Sequence, residues 1–184
     1  EGTESVSSTF SYDITMATEE KSIDDEDLLR KPVVVTIRRE NFPPRYIHGL
    51  IQKCKLMGID EGSEKVYLWS ATIVPWLWFL SLETECRHFL NLNALDIVKK
   101  VFAGHGYSDF TPKIQTTLPK REFTVQYRET SLNFISRLLE EEGIFYWFEH
   151  TEVKHLLILA DNNGTTQNCP HRHKFPYAKG TSSG

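Results

Sequence analysis

The stretch that most constrains the fold is residues 120–150, KREFTVQYRETSLNFISRLLEEEGIFYWFEH. Residues 122–128 alternate, with Phe123, Val125 and Tyr127 on one face of an extended segment. Thr130 or Ser131 then offers a side-chain oxygen to cap a helix. Leu132, Ile135, Leu138 and Leu139 recur at helical spacing, while Arg137 and Glu140, Glu141 and Glu142 face water. Gly143 supplies a left-handed stop. Residues 144–149 and 155–160 follow as a hairpin around 150–154, both strands nearly all apolar. Such a hairpin is buried on both faces or lies at an interface.

The first eighty residues predict strands. Phe10, Tyr12, Ile14 and Met16 alternate with Ser11, Asp13 and Thr15 over 9–16. Residues 24–29 suit one helical turn in an acidic stretch, 19–27, that faces solvent or a partner. Strands are expected at 33–37, 46–57 and 65–74, with turns at 41–44 and 58–63 and a bulge or close backbone contact at Gly49. Gaps this short exclude crossover helices between most pairs, so the pairing is antiparallel. Strands with one apolar face must close or stack, which implies a small barrel or sandwich. After Pro75 comes an aromatic knot, 76–80, read as core. A helix follows over 94–103, capped by Asn93, with Ile97, Val98, Val101 and Phe102 on one face and Gly104 and Gly106 at its end. Residues 110–118 read as extended and polar, and the chain is loop-like from Asp161 onward.

Composition narrows function by exclusion. The net charge is -4 with a pI near 6.0, which opposes general nucleic-acid binding and polybasic membrane contact. The longest apolar run, 73–82, is too short to span a bilayer. Three cysteines, Cys54, Cys86 and Cys169, make no disulfide framework and suit a reducing compartment. The chain opens on Glu1 and ends in GTSSG, so both ends read as cuts within a longer protein.

Candidate chemistry is thin. Glu140, Glu141 and Glu142 point in three directions around a helix and do not converge on one bond. Cys169, His171 and His173 lack the second ligand pair of a zinc site. His48, His88, His105, His150 and His155 sit on different elements, and no nucleophile–base pair is evident. Gly104-His105-Gly106 is a helix terminus, not a phosphate loop. Trp76, Trp78, Tyr146, Trp147 and Phe148 lack the basic neighbours of a base-stacking surface, so core or subunit interface is the expectation. No catalytic, cofactor-binding or metal-binding residue is assigned.

The segment EFTVQYRE at 122–129, followed by LNFISRLLEEEGIFY at 132–146, closely resembles the hallmark of VgrG proteins, the spike and hub components of bacterial type VI secretion systems. The likeness extends through Arg45-Tyr46-Ile47-His48-Gly49, Pro75-Trp76-Leu77-Trp78, the helix at 95–106 and Leu157-Ile158-Leu159-Ala160-Asp161, covering most of 5–161. The resemblance implies a β-rich α+β fold of the contractile-phage tail-hub kind. It implies an antiparallel β-barrel-like module over 1–80, an α+β insertion with two helices and a terminal hairpin over 81–161, and a loop or next module over 162–184. It further implies a non-enzymatic homotrimer that docks on the hexameric Hcp tube, carries effector or adaptor proteins, and is delivered from the cytoplasm to the cell exterior. No cofactor, nucleic acid or stable membrane insertion is expected. The strands at 144–148 and 156–159 are the expected interface material. A phage or prophage baseplate hub is the nearest alternative. A cell-wall hydrolase, or a carbohydrate-binding module resting on Trp76, Trp78 or Trp147, is the alternative of another class.

Overall fold

The computed structural model describes residues 1–19, 28–61 and 65–166. The short helical turn expected at 24–29 and the loop carrying Cys169, His171 and His173 lie wholly or largely outside them. The strand–turn–strand rhythm produces a five-stranded antiparallel sheet. Its strands are β1 (Gly2–Thr3), β2 (Ser11–Thr18), β3 (Pro32–Arg39), β4 (Phe42–Glu61) and β5 (Lys65–Val74), in the spatial order β1-β2-β5-β4-β3. β4 pairs with β5 through register shifts between Ile51 and Lys53 and between Leu56 and Gly58. Each extra residue bends the strand and increases its twist, which curls the sheet into an open half-barrel.

Two expected turns are shorter than the residue types suggest. The bend before β4 is confined to Glu40 and Asn41, and Asn41 takes φ 62, a conformation asparagine tolerates better than most residues. Pro43 and Pro44 therefore lie inside β4 rather than in a turn. They sit where the β3–β4 register shifts between Ile37 and Arg39, a place where a missing N–H costs the ladder nothing. Similarly, Gly58 continues β4 instead of opening the turn. Gly49 is a close backbone contact, as expected: a Cβ there would stand 2.4 Å from Ile73 Cγ2 and 2.9 Å from the Val74 carbonyl oxygen.

Beyond Pro75 a 3-10 turn (Trp76–Ser81) leads into β6 (Thr84–Leu92), a strand the sequence pattern did not reveal. Apolar and polar residues occur on both faces of β6, so no period-2 signal stands out. α1 (Ala94–Gly104) and β7 (Phe110–Lys113) precede β8 (Arg121–Thr130), α2 (Ser131–Glu141), β9 (Phe145–His150) and β10 (His155–Ala160). The Asn93 side chain accepts from the Asp96 N–H at α1, and Thr130 accepts from the Asn133 N–H at α2. Gly143, at φ 66, ends α2 as a left-handed residue. β6 and β8 form an isolated antiparallel ribbon. β10 pairs antiparallel with β9 but parallel with β7. That parallel contact lies outside the first eighty residues, for which antiparallel pairing is expected, and β8, α2 and β9 together provide the long crossover it requires.

One core joins both halves of the chain. Ile97, Val98, Val101 and Phe102 of α1 and Phe134, Ile135, Leu138 and Leu139 of α2 meet Trp76, Leu77 and Leu80, with Phe10 and Ile73 contributed by the sheet. Leu132, expected within the α2 stripe, is only half-buried, while Phe134 is fully buried. The hairpin is largely buried, one of the two outcomes its apolar strands allow. Ile144, Tyr146, Phe148, Leu157, Ile158 and Leu159 are all 5% exposed or less and belong to the core, while Phe145, Trp147 and Leu156 are half-buried. Among the described residues, no helix is long and apolar enough to cross a membrane.

Candidate functional site

Two polar clusters are assembled from residues far apart in sequence. The first lies where β4 passes the β9–β10 hairpin. His48 lies in the stretch of β4 that β5, finishing opposite Leu50, no longer covers. Its N–H and its carbonyl both meet His150 Nδ1, at 3.1 and 3.0 Å. The ring therefore occupies a ladder position that would otherwise leave buried backbone groups unpaired. His155 Nε2 accepts from the Trp76 N–H at 2.9 Å, and His155 Nδ1 stands 3.0 Å from His48 Nδ1. His150 Nε2 faces Glu4 Oε1 at 3.5 Å. The sequence expectation that these histidines are scattered is thus overturned: they occupy three strands, but the strands converge.

Burial sets the charge state of this cluster. His155 is pushed down to about 3, first by burial and then by the neighbouring His48 and His150 rings. His48 is lowered by the same causes, burial first and His150 second. Glu4 is held below the usual carboxylate range chiefly by the neighbouring His150 ring, with Tyr12 and Arg45 assisting against burial. A base pushed as low as His155 is a weak proton acceptor near neutral pH, and both its ring nitrogens are already engaged. Beside the cluster runs a cleft of roughly 270 Å³, lined by His48, Trp76, Tyr107, Asp109, Lys154 and His155 among others. Lys154 and Asp109 pair at 3.0 Å on its rim. Among the described residues, no group of three or more His, Cys, Asp and Glu is arranged to hold a metal ion.

The second cluster lies between the β6–β8 ribbon and α2. Arg87 Nε is 2.6 Å from Glu85 Oε2 and donates to Gln126 Oε1 at 3.0 Å. Its Nη2 donates to Ser131 Oγ at 2.8 Å. His105 Nε2 lies 3.1 Å from Ser131 Oγ and 3.6 Å from Glu85 Oε1. Serine, imidazole and carboxylate are therefore adjacent, a trio the sequence reading did not anticipate. The arrangement is unsuited to nucleophilic catalysis. Ser131 is fully buried, and serine and carboxylate share one ring nitrogen, whereas a relay needs the carboxylate on the other. Gln126, also fully buried, donates to the Glu129 carbonyl at 3.0 Å. The network satisfies polar groups enclosed beneath the ribbon. A faint signal existed: polar Thr124 and Gln126 alternate with apolar Phe123, Val125 and Tyr127 on β8, and Ser131 is spare once Thr130 caps the helix.

Other sequence candidates resolve simply. Glu141 and Glu142 converge after all, each 2.5 Å from an Arg121 nitrogen. Glu142 lies just past the last helical residue, where the chain turns. Arg137 also reaches Glu141 and Glu129. These cations offset the unfavourable placement of acids at a helix C-terminus. Gly104-His105-Gly106 does end α1, with Gly106 at φ 78. Trp76 is buried, stacked on Tyr107 at 4.7 Å. Trp78 and Trp147 are half-buried.

Together, a curled antiparallel sheet, a capped helix pair and a buried hairpin define a β-rich α+β module whose polar clusters serve structure. Residues 3–184 match the family described as phage tail baseplate hub (GPD), and the chain belongs to that family. It is 37% identical over 177 residues to the type VI secretion system spike protein VgrG1b of Pseudomonas aeruginosa, covering 96% of this chain and 24% of that relative. VgrG1a of the same organism is 35% identical over 177 residues, with 96% and 27% covered. The chain thus spans about a quarter of these relatives' length and is homologous to the N-terminal region of VgrG spike proteins. The Escherichia coli c3393 protein, a type VI secretion component described as similar to T4 tail proteins, shares the fold. Its TM-score is 0.80 at 24% identity, over 90% of this chain and 45% of that one. The Francisella PdpA–VgrG complex gives a TM-score of 0.60 at 11% identity, over 88% and 24%.

Proposed function

We propose that the complete protein is the trimeric hub and spike of a type VI secretion system, and that this chain is part of the collar that docks on the Hcp tube. The observation that carries the reading is the 37% identity to a spike protein along 96% of the chain. Residues 1–80 and 81–161 are read as the barrel-like module and its insertion, with 162–184 leading onward. Their work is mechanical: three copies close around an axis, match the tube's symmetry and transmit contraction force. Effector or adaptor proteins ride on the assembly, which leaves the cytoplasm for the exterior or a target cell. A PdpA–VgrG complex exists for one relative of the fold, which supports protein partners of this kind. Exposed Leu90, Phe123 and Tyr127 supply apolar surface of the sort that obligate assemblies cover. No catalysis, cofactor, nucleic acid or membrane insertion is needed for this role.

The phage-tail alternative draws on the family's description, but the 35% and 37% relatives are secretion-system spikes, and they favour the first reading. The test is the mass and tube binding of the complete gene product. Light scattering should give three copies, and the particle should sit on the end of Hcp hexamer stacks. A monomeric complete product that ignores the tube would sink the proposal.

A further inference from the structure

The contacts among the three clustered imidazoles leave no room for an extra proton on two of them. Because the Trp76 N–H donates to His155 Nε2, the neutral His155 ring carries its hydrogen on Nδ1. That hydrogen points at His48 Nδ1, 3.0 Å away, which must accept it. Protonating His155 sets an N–H against the Trp76 N–H, and protonating His48 Nδ1 sets two donors face to face. Either event breaks a buried hydrogen bond. His150 behaves differently. Its Nδ1 lies within reach of both the N–H and the carbonyl of His48, so it accepts when neutral and donates when charged.

We propose that His48 and His155 form an acid-sensitive latch, which holds the β9–β10 hairpin against the Trp76 turn and the amino-terminal sheet near neutral pH and releases it on proton uptake. The latch joins segments 107 positions apart in sequence, so its opening separates elements that no short loop ties together.

The charged groups around it are few. Asp109 faces His48 and His155 and favours their protonation, but Lys154 pairs with it at 3.0 Å. Glu4 faces His150 rather than the trigger rings, and Tyr12 donates to Glu4 at 2.8 Å while Arg45 lies 3.9 Å from it. From the sheet, Phe10 presents only an aromatic ring, 4.8 Å from His150 and 5.7 Å from His155. Among the described residues, no carboxylate is paired directly with either trigger ring.

The direction follows from linkage. A histidine held below its unfolded value stabilises fully above that value, and the contribution drains as pH falls toward the folded one. With His155 at about 3 against 6.5 unfolded, that ring alone lowers the folded-to-unfolded ratio about thirtyfold between pH 8 and pH 5.

Site-resolved amide exchange on the unmodified chain at pH 7.5 and 5.0 tests the proposal. Protection of the Trp76 amide should fall at least about tenfold from the higher pH to the lower. No loss at Trp76 would overturn it. His155→Gln keeps an acceptor for Trp76 but takes up no proton. It should flatten the pH dependence of Trp76 protection, and an unchanged dependence in a folded variant also refutes the latch.

Discussion

The β9–β10 hairpin and the β6–β8 ribbon are both antiparallel strand pairs rich in aromatic residues, yet the chain treats them in opposite ways. On the hairpin, Tyr146, Phe148, Leu157 and Leu159 are enclosed by the helices and the sheet. On the ribbon, Phe123 is 61% exposed and Tyr127 65%, while the opposite face buries Thr124 and Gln126. Apolar content alone would rank the hairpin as the sticky surface. The layer stacked on each face decides instead: helices cover the hairpin, whereas polar Gln126 and Arg87 spend the ribbon's inner face on hydrogen bonds.

The contrast is open to direct challenge. The largest effect should come from Leu157→Ala, which empties a fully buried site and should cost roughly 2–5 kcal/mol in denaturant unfolding. Next is Gln126→Ala, which strips Arg87 and the Glu129 carbonyl of a buried partner. A loss of about 1–3 kcal/mol is expected, with the ribbon's amides losing exchange protection before those of the hairpin. Thr130→Ala removes the cap of α2 and should cost about 1 kcal/mol, recovered largely by Thr130→Ser. Smallest should be Phe123→Ser with Tyr127→Ser, within about 0.5 kcal/mol each for the isolated chain. If that double change destabilised the chain as much as Leu157→Ala, the outer ribbon face would be core, and the distinction between the two strand pairs would collapse. Acid is a further probe of the hairpin. Stability should decline as pH drops below about 6.5, because His48 and His155 are held down in the folded state.

What could be read from order alone is what neighbours in sequence decide. Asn93 and Thr130 cap their helices because a cap needs only the next few N–H groups. Gly143 stops α2 because φ is a local property. The family likeness belongs to the same level, since it rests on a contiguous run from Glu122 to Tyr146. Missing from that level were the β6 strand, the parallel β7–β10 pairing, the exposed side of β8, the Ser131–His105 contact and the meeting of His48, His150 and His155. Each depends on which distant segment arrives at a given face. A histidine's spacing along the chain carries no record of a partner 102 or 107 residues away. That choice belongs to packing: the curl of β4 and the burial of the hairpin bring the rings together, and only the closed core excludes the water that would otherwise let them charge.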